Sequence, residues 1–322
     1  SSMANISFFY PKAKKGTATG LNAGIGNLGV SLAQFVVPLV ISSAMVGSFT
    51  GEGLHYVEKG VEKTLWLQNA GFVWVPFIVI SAILAWFGMN DIADAKASFK
   101  DQAIIFRRKH NWLMCWLYVG TFGSFIGFSA GLALLTKSQF PDVNPTQYAF
   151  LGPLVGALTR PVGGWISDRL KAGATVTLYT FLLMVLGVVG VLFTLPSEGH
   201  AGNFPAFLGM FILLFALSGI GNGSTFRMIP VIFLTARTQE AEKTPEAQRQ
   251  AVVQGNKEAS AVLGFSGAVG AYGGFFIPKS FGTSLEATGS VDMALYAFIA
   301  FYLSCMVVTW WFYARKGART PC

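Results

Sequence analysis

Eight apolar windows, each long enough to cross a bilayer as a helix, constrain this 322-residue chain more than anything else. They lie near 17–47, 69–89, 112–136, 147–166, 173–195, 205–233, 259–281 and 293–313. Backbone in hydrocarbon has no water to bond to, so runs of this length are expected to be helices that satisfy their own N–H and C=O groups. Composition points the same way: 53% hydrophobic residues, 12% charged, and a mean hydropathy of +0.54. The expected class is an all-α, polytopic membrane protein rather than a soluble globule.

The loops set the orientation. Segments 1–16, 90–111, 167–172, 234–258 and 314–322 hold 17 Lys and Arg, against 4 in the alternate loops with Lys279. The positive-inside rule places both chain ends and the 90–111 loop in the cytoplasm. The net charge of +8 is therefore a topology signal, and no nucleic-acid partner is expected. Loop 90–111 carries the densest cluster (Lys96, Lys100, Arg107, Arg108, Lys109), and 234–258 reads as a polar, mobile or amphipathic cytoplasmic segment. Cys115, Cys305 and Cys322 have no paired spacing. His55, His110 and His200 are expected in loops, so no metal site is expected. The opening SSMANISFFYPKAKK has neither a start Met nor a signal-peptide pattern, and reads as the tail of an interrupted helix.

One span departs from the apolar rule. In GPLVGALTRPVGGWISDRLK, Gly152 to Lys171, Arg160 sits roughly 12 Å inside the charged helix end. A permanent charge at that depth is costly and usually faces a cavity that serves a substrate. No Asp or Glu falls inside any of the eight windows, so a visiting anion is the simplest counter-ion. Arg227 lies nearer its helix end, before Pro230, and is expected to snorkel to the interface.

Two glycine rows bear on the same point. Gly16, Gly20, Gly24, Gly26 and Gly29 lie on the first span with Asn22 and Asn27; Gly264, Gly267, Gly270, Gly273 and Gly274 lie on the seventh. Such rows let helices approach closely, which is a packing role in itself. The amides add a second possibility, hydrogen bonds to an anion at membrane depth. GIGN occurs twice, at 24–27 and 219–222, on spans five apart. Gly20, Gly26 and Gly29 align instead with Gly264, Gly270 and Gly273, six spans apart, as two six-helix halves require; substrate sites of such carriers lie near the midplane. Tyr118, Phe122 and Phe125 keep to one helical face, as packing or as a clamp for a flat anion.

GTATGLNAGIGN and GFSGAVGAYGGF resemble the two signature motifs of the nitrate/nitrite porter (NarK-type) family of the major facilitator superfamily, with support from GTFGSFIGFSAG, LGPLVGALTRPVGGWISDR and GGFFIPKSFG. Asp168 and Arg169 resemble that superfamily's cytoplasmic loop signature. The resemblance implies a major facilitator fold with eight of twelve transmembrane helices. Residues 1–89 would end one lobe, 90–111 would link the lobes, and 112–322 would form the six-helix second lobe. It also implies a nitrate- and nitrite-binding site in which Arg160 is the eighth-helix arginine, Tyr118 and Phe122 are the site aromatics and Asn27 is the signature asparagine. Gly26, Gly264 and Gly267 would line the substrate, while Gly20, Gly24, Gly29, Gly270 and Gly273 would serve packing and gating. Expected with it are a monomer in a bacterial inner membrane, no cofactor, no enzymatic activity, and exchange of nitrate for nitrite; proton-coupled symport and an anion channel are the alternatives.

Overall fold

The computed structural model describes residues 10–11, 14–43, 51–58, 61–89, 102–197, 199 and 201–322. The readings for 1–9, for Lys96 and Lys100, and for His200 lie outside the described residues. Each of the eight apolar windows is mostly helix among its described residues. The elements are α1 (Lys15–Ile41), β1 (Leu54–Glu58), β2 (Val61–Leu65), α2 (Asn69–Phe72), α3 (Val75–Gly88), α4 (Lys109–Tyr118), α5 (Ser124–Gln139), α6 (Leu151–Leu170), α7 (Gly173–Thr194), α8 (Phe204–Glu240), α9 (Pro245–Ala271), α10 (Gly273–Thr288) and α11 (Asp292–Thr309). Among the described residues, seven spans meet the length and apolarity of a membrane crossing. The remaining window, the fourth, is α6, a helix whose apolar character is interrupted by Arg160, Asp168 and Arg169.

Local chemistry sets several boundaries. Asn203 and Thr244 cap α8 and α9, accepting from Ala206 N and Ala247 N at 3.0 and 3.3 Å, each before a proline in the first turn. α6 ends at Lys171, which takes a left-handed conformation with φ 52°. Between α4 and α5 the chain passes through one π turn, Val119–Gly123, of the kind that often accompanies functional sites.

Three expectations are corrected. Segment 234–258 is mostly helix: α8 runs to Glu240 and α9 starts at Pro245. Its Gln, Glu, Lys and Ala are good helix formers, and a helix can continue past the bilayer into water. His110 is on α4, its Nδ1 3.0 Å from the Tyr313 hydroxyl, not in a loop. The loop between the first two spans contains the antiparallel hairpin β1–β2, with Leu54 opposite Leu65.

The core lies among α4 to α11. It is built from rings of α5 and α8, with Phe125 edge-on to Phe215 and Phe128 edge-on to both Phe211 and Phe215. α1 packs against α6, and α6 in turn against α8. α3 buries no residue; Trp86 and Phe87 are its most exposed side chains. A helix this apolar, with no buried face among the described residues, suits a bilayer.

Candidate functional site

Pro161 has no N–H to give the Ala157 carbonyl, so α6 lacks one backbone bond next to Arg160. Glycines from both sides close on this stretch. A Cβ on Gly24 of α1 would come within 2.7 Å of the Ala157 oxygen; one on Gly219 of α8 would overlap the Gly156 oxygen. Only glycine lets both helices come this near, and both are the first residue of a GIGN.

The Arg160 side chain is 2% exposed. Its Nη2 donates to the Tyr118 hydroxyl at 2.8 Å. The guanidinium carbon lies 4.8 Å from the Phe226 ring centroid and 5.6 Å from that of Phe122. Tyr118 and Phe122 stack at 5.2 Å and 17°, and Phe122 continues onto Phe125 at 6.3 Å and 12°. Tyr118 meets Phe226 at 4.7 Å. Ring faces soften the cost of the charge but do not neutralise it. No acid pairs with Arg160 among the described residues, and its Nε is buried without a hydrogen-bond partner. A planar fork with an unused donor, set among flat rings, suits a small planar oxyanion.

The other expected residues divide. Gly20 packs on the Arg160 carbonyl, Gly270 on the Tyr118 and Phe122 rings, and Gly273 on Gly123. Asn27 keeps a buried, unpartnered Nδ2, and no hydrogen bond joins it to Arg160 among the described residues. Gly26, Gly29, Gly264 and Gly267 face open space, and the structure does not bring them to the guanidinium. The aligned pairs Gly20–Gly264 and Gly26–Gly270 accordingly have unlike surroundings, whereas the two GIGN copies share a packing role. Phe226 was not singled out from sequence. Its only signal is an aromatic in the polar stretch GNGSTFRMIP, one turn ahead of Pro230.

Asp168 is more than a helix-end charge. Its carboxylate accepts from Thr17 N at 2.8 Å, Thr17 Oγ1 at 3.0 Å and Arg227 Nε at 3.3 Å. It thus caps the first turn of α1 from another helix and ties α1, α6 and α8 together. Arg227 is therefore paired within the bundle, which corrects the snorkelling expectation. Arg169 lies over the Trp165 ring at 5.4 Å.

A buried acid does exist beside the seventh window. Glu258, 4% exposed on α9, accepts from Arg237 Nε at 3.0 Å and from Arg237 Nη2. Arg108 Nη2 and Nε each lie 3.4 Å from its carboxylate oxygens. The charge is held by two arginines rather than left free.

No family profile matches the chain. It is 49% identical over 319 residues to the nitrate/nitrite transporter NarU of Salmonella typhimurium, covering 99% of this chain and 68% of that protein. It is 48% identical to NarU of Escherichia coli, covering 98% and 67%. The identity is 41% to a Thermus thermophilus protein named "Probable nitrate/nitrite antiporter NarK2", over 99% and 68%. The chain thus spans about two thirds of each relative. In fold it resembles the major facilitator transporter FucP in its outward conformation, with a TM-score of 0.59 at 12% identity, over 96% of this chain and 70% of that one. The relatives establish that the chain belongs to the nitrate/nitrite transporter family, and its fold is the one seen in major facilitator transporters.

Proposed function

We propose that this chain carries nitrate and nitrite across a bacterial inner membrane by alternating access, exchanging one anion for the other. The observation that carries the reading is Arg160: a buried guanidinium with an unused donor and no acid beside it among the described residues. Nitrate and nitrite are planar and weakly hydrated, and two of their oxygens match the arginine fork. A carrier with an uncompensated positive site resists returning empty, which favours exchange over net uptake. The family relatives, named as transporters and an antiporter of these ions, support the substrate and a carrier rather than an enzyme.

In this reading residues 1–89 belong to one lobe and 112–322 to the other, with 90–111 between them, and substrate meets Arg160, Tyr118, Phe122 and Asn27 at the lobe boundary. Gly26, Gly264 and Gly267 line the path, and the remaining signature glycines let the lobes slide. The C-terminus is cytoplasmic, because 17 of the loop cations lie on that side. The protein acts as a monomer, since Arg160, its hydroxyl partner and its rings come from one chain.

The test is counterflow in proteoliposomes of the full-length protein. Internal nitrite is expected to accelerate nitrate entry whether or not a pH gradient is present. Nitrate accumulation in nitrite-free vesicles driven by the gradient alone would establish symport instead. Steady conductance without any internal anion would make it a channel.

A further inference from the structure

The second GIGN ends in a side chain that packing does not explain. Asn222 of α8 is fully buried at 0% exposed, and both its Nδ2 and Oδ1 lack a hydrogen-bond partner among the described residues. Burying a carboxamide with neither atom satisfied costs on the order of 1–3 kcal/mol, so such a group usually has something to meet. Its direction follows from its neighbours. Gly221 faces the Thr121 and Thr180 side chains, and Gly223 faces the Arg160 carbonyl and Gly164. At roughly 100° per residue, Asn222 points into the wedge between these two contacts. Phe226, one turn further along the same face, points there too, and its ring lies 4.8 Å from the Arg160 guanidinium. The Arg160–Tyr118 hydrogen bond spans that wedge from α6 to α4.

We propose that Asn222 is a further anion-binding residue, its Nδ2 donating to an oxygen of nitrate or nitrite held at Arg160. The inference rests on the reading of Arg160 given above. A planar oxyanion offers only acceptors, so Nδ2 is the atom that meets it, and a neutral amide adds a donor without adding charge. Asn222 then complements the arginine fork from α8 and makes the site selective for anions with several oxygen acceptors. The repeat acquires a common logic. Each GIGN puts its first glycine on α6, and its asparagine, three residues on, keeps an amide nitrogen unpartnered inside the protein.

The experiment compares Asn222→Leu, Asn222→Asp and Arg160→Lys in the full-length protein, reading nitrate–nitrite counterflow and the thermal shift produced by nitrate. For Asn222→Leu, the nitrate KM is expected to rise tenfold or more while the maximal rate stays within twofold. The nitrate-induced thermal shift is lost, yet the ligand-free Tm is unchanged or higher, because an unsatisfied amide has left the interior. A merely structural asparagine would lower that Tm and leave KM alone, and that result overturns the inference. Asn222→Asp keeps the shape, so it guards against misfolding of the Leu variant. It sets a carboxylate against the anion and is expected to abolish nitrate binding; nitrate KM at the parent value in this variant also overturns the inference. Inactive Arg160→Lys beside unchanged Asn222 variants removes Asn222 alone. Normal transport by Arg160→Lys removes the site reading beneath it.

Discussion

Arg160 works as a shape as much as a charge. A lysine there would keep the charge but lose the fork, the Tyr118 hydrogen bond geometry and the flat face against Phe226. Arg160→Lys is therefore expected to abolish nitrate–nitrite counterflow while the protein still inserts, as read by flux per inserted molecule; normal flux would reject the assigned role. Tyr118→Phe is a finer change. It keeps the ring stack on Phe122 and deletes the single hydroxyl that accepts from Nη2. One more guanidinium donor is then unsatisfied, so the ligand-free protein should lose about 1–3 kcal/mol in denaturant unfolding. Saturating nitrate should restore much of this, because the anion takes up the freed donor. Arg160, Tyr118 and Phe122 were legible in the sequence because a charge inside an apolar run stands out, and its aromatic partners repeat at helical spacing. Phe226 was not. It is one of 29 phenylalanines, and its place over the guanidinium is set by how α8 crosses α6, which no local pattern encodes.

Helices α1, α6 and α8 are tied by the Asp168 carboxylate where α6 finishes and α1 begins, with α8 running on past the joint to Glu240. The ion pair with Arg227 is largely out of water, the two side chains being 7% and 13% exposed. Removing one partner leaves the other charge buried, at a cost of about 3–5 kcal/mol, whereas removing both costs less than the sum. Asp168→Asn and Arg227→Gln are each expected to destabilise the protein clearly in denaturant unfolding, and the double variant to be milder than the two effects added. Strict additivity would mean that the pair contributes nothing. Seven of the eight expected spans were legible from apolar length alone; α6, with Arg160 inside it, falls short of that measure. The joint between α8 and α9 was misread. Charges there were assigned to a loop, but the structure uses them on helix ends, leaving residues 241–244 between the two helices. The hairpin β1–β2 was also missed, because its ten residues sit among polar connections with no apolar alternation.

At the scale of the whole molecule, the ion pairs among the described residues gather toward one end of the bundle and none reaches Arg160. Arg108 precedes α4, Arg237 is in the last turn of α8, and Glu258 lies on α9, which leaves the same end. Asp168 and Arg227 lie at that end too. The Asp168 and Glu258 carboxylates are therefore engaged with arginines other than Arg160. This bears on coupling. A proton-coupled carrier needs a carboxylate or imidazole whose protonation follows the substrate, and such a group should shape the pH dependence of transport. Glu258 is the buried acid that could compete for that role, so its removal separates the two cycles. Glu258→Gln takes the shared carboxylate from Arg237 and Arg108, leaving Arg237 its contact with Glu240, and is expected to destabilise the protein by about 1–3 kcal/mol. Counterflow per folded molecule should nevertheless keep the parent's pH profile between about pH 6 and pH 8, because the exchange stroke depends on Arg160 and on the anion that neutralises it. A profile that flattens or shifts in Glu258→Gln, together with loss of gradient-driven uptake, would make Glu258 the proton carrier and replace exchange with symport.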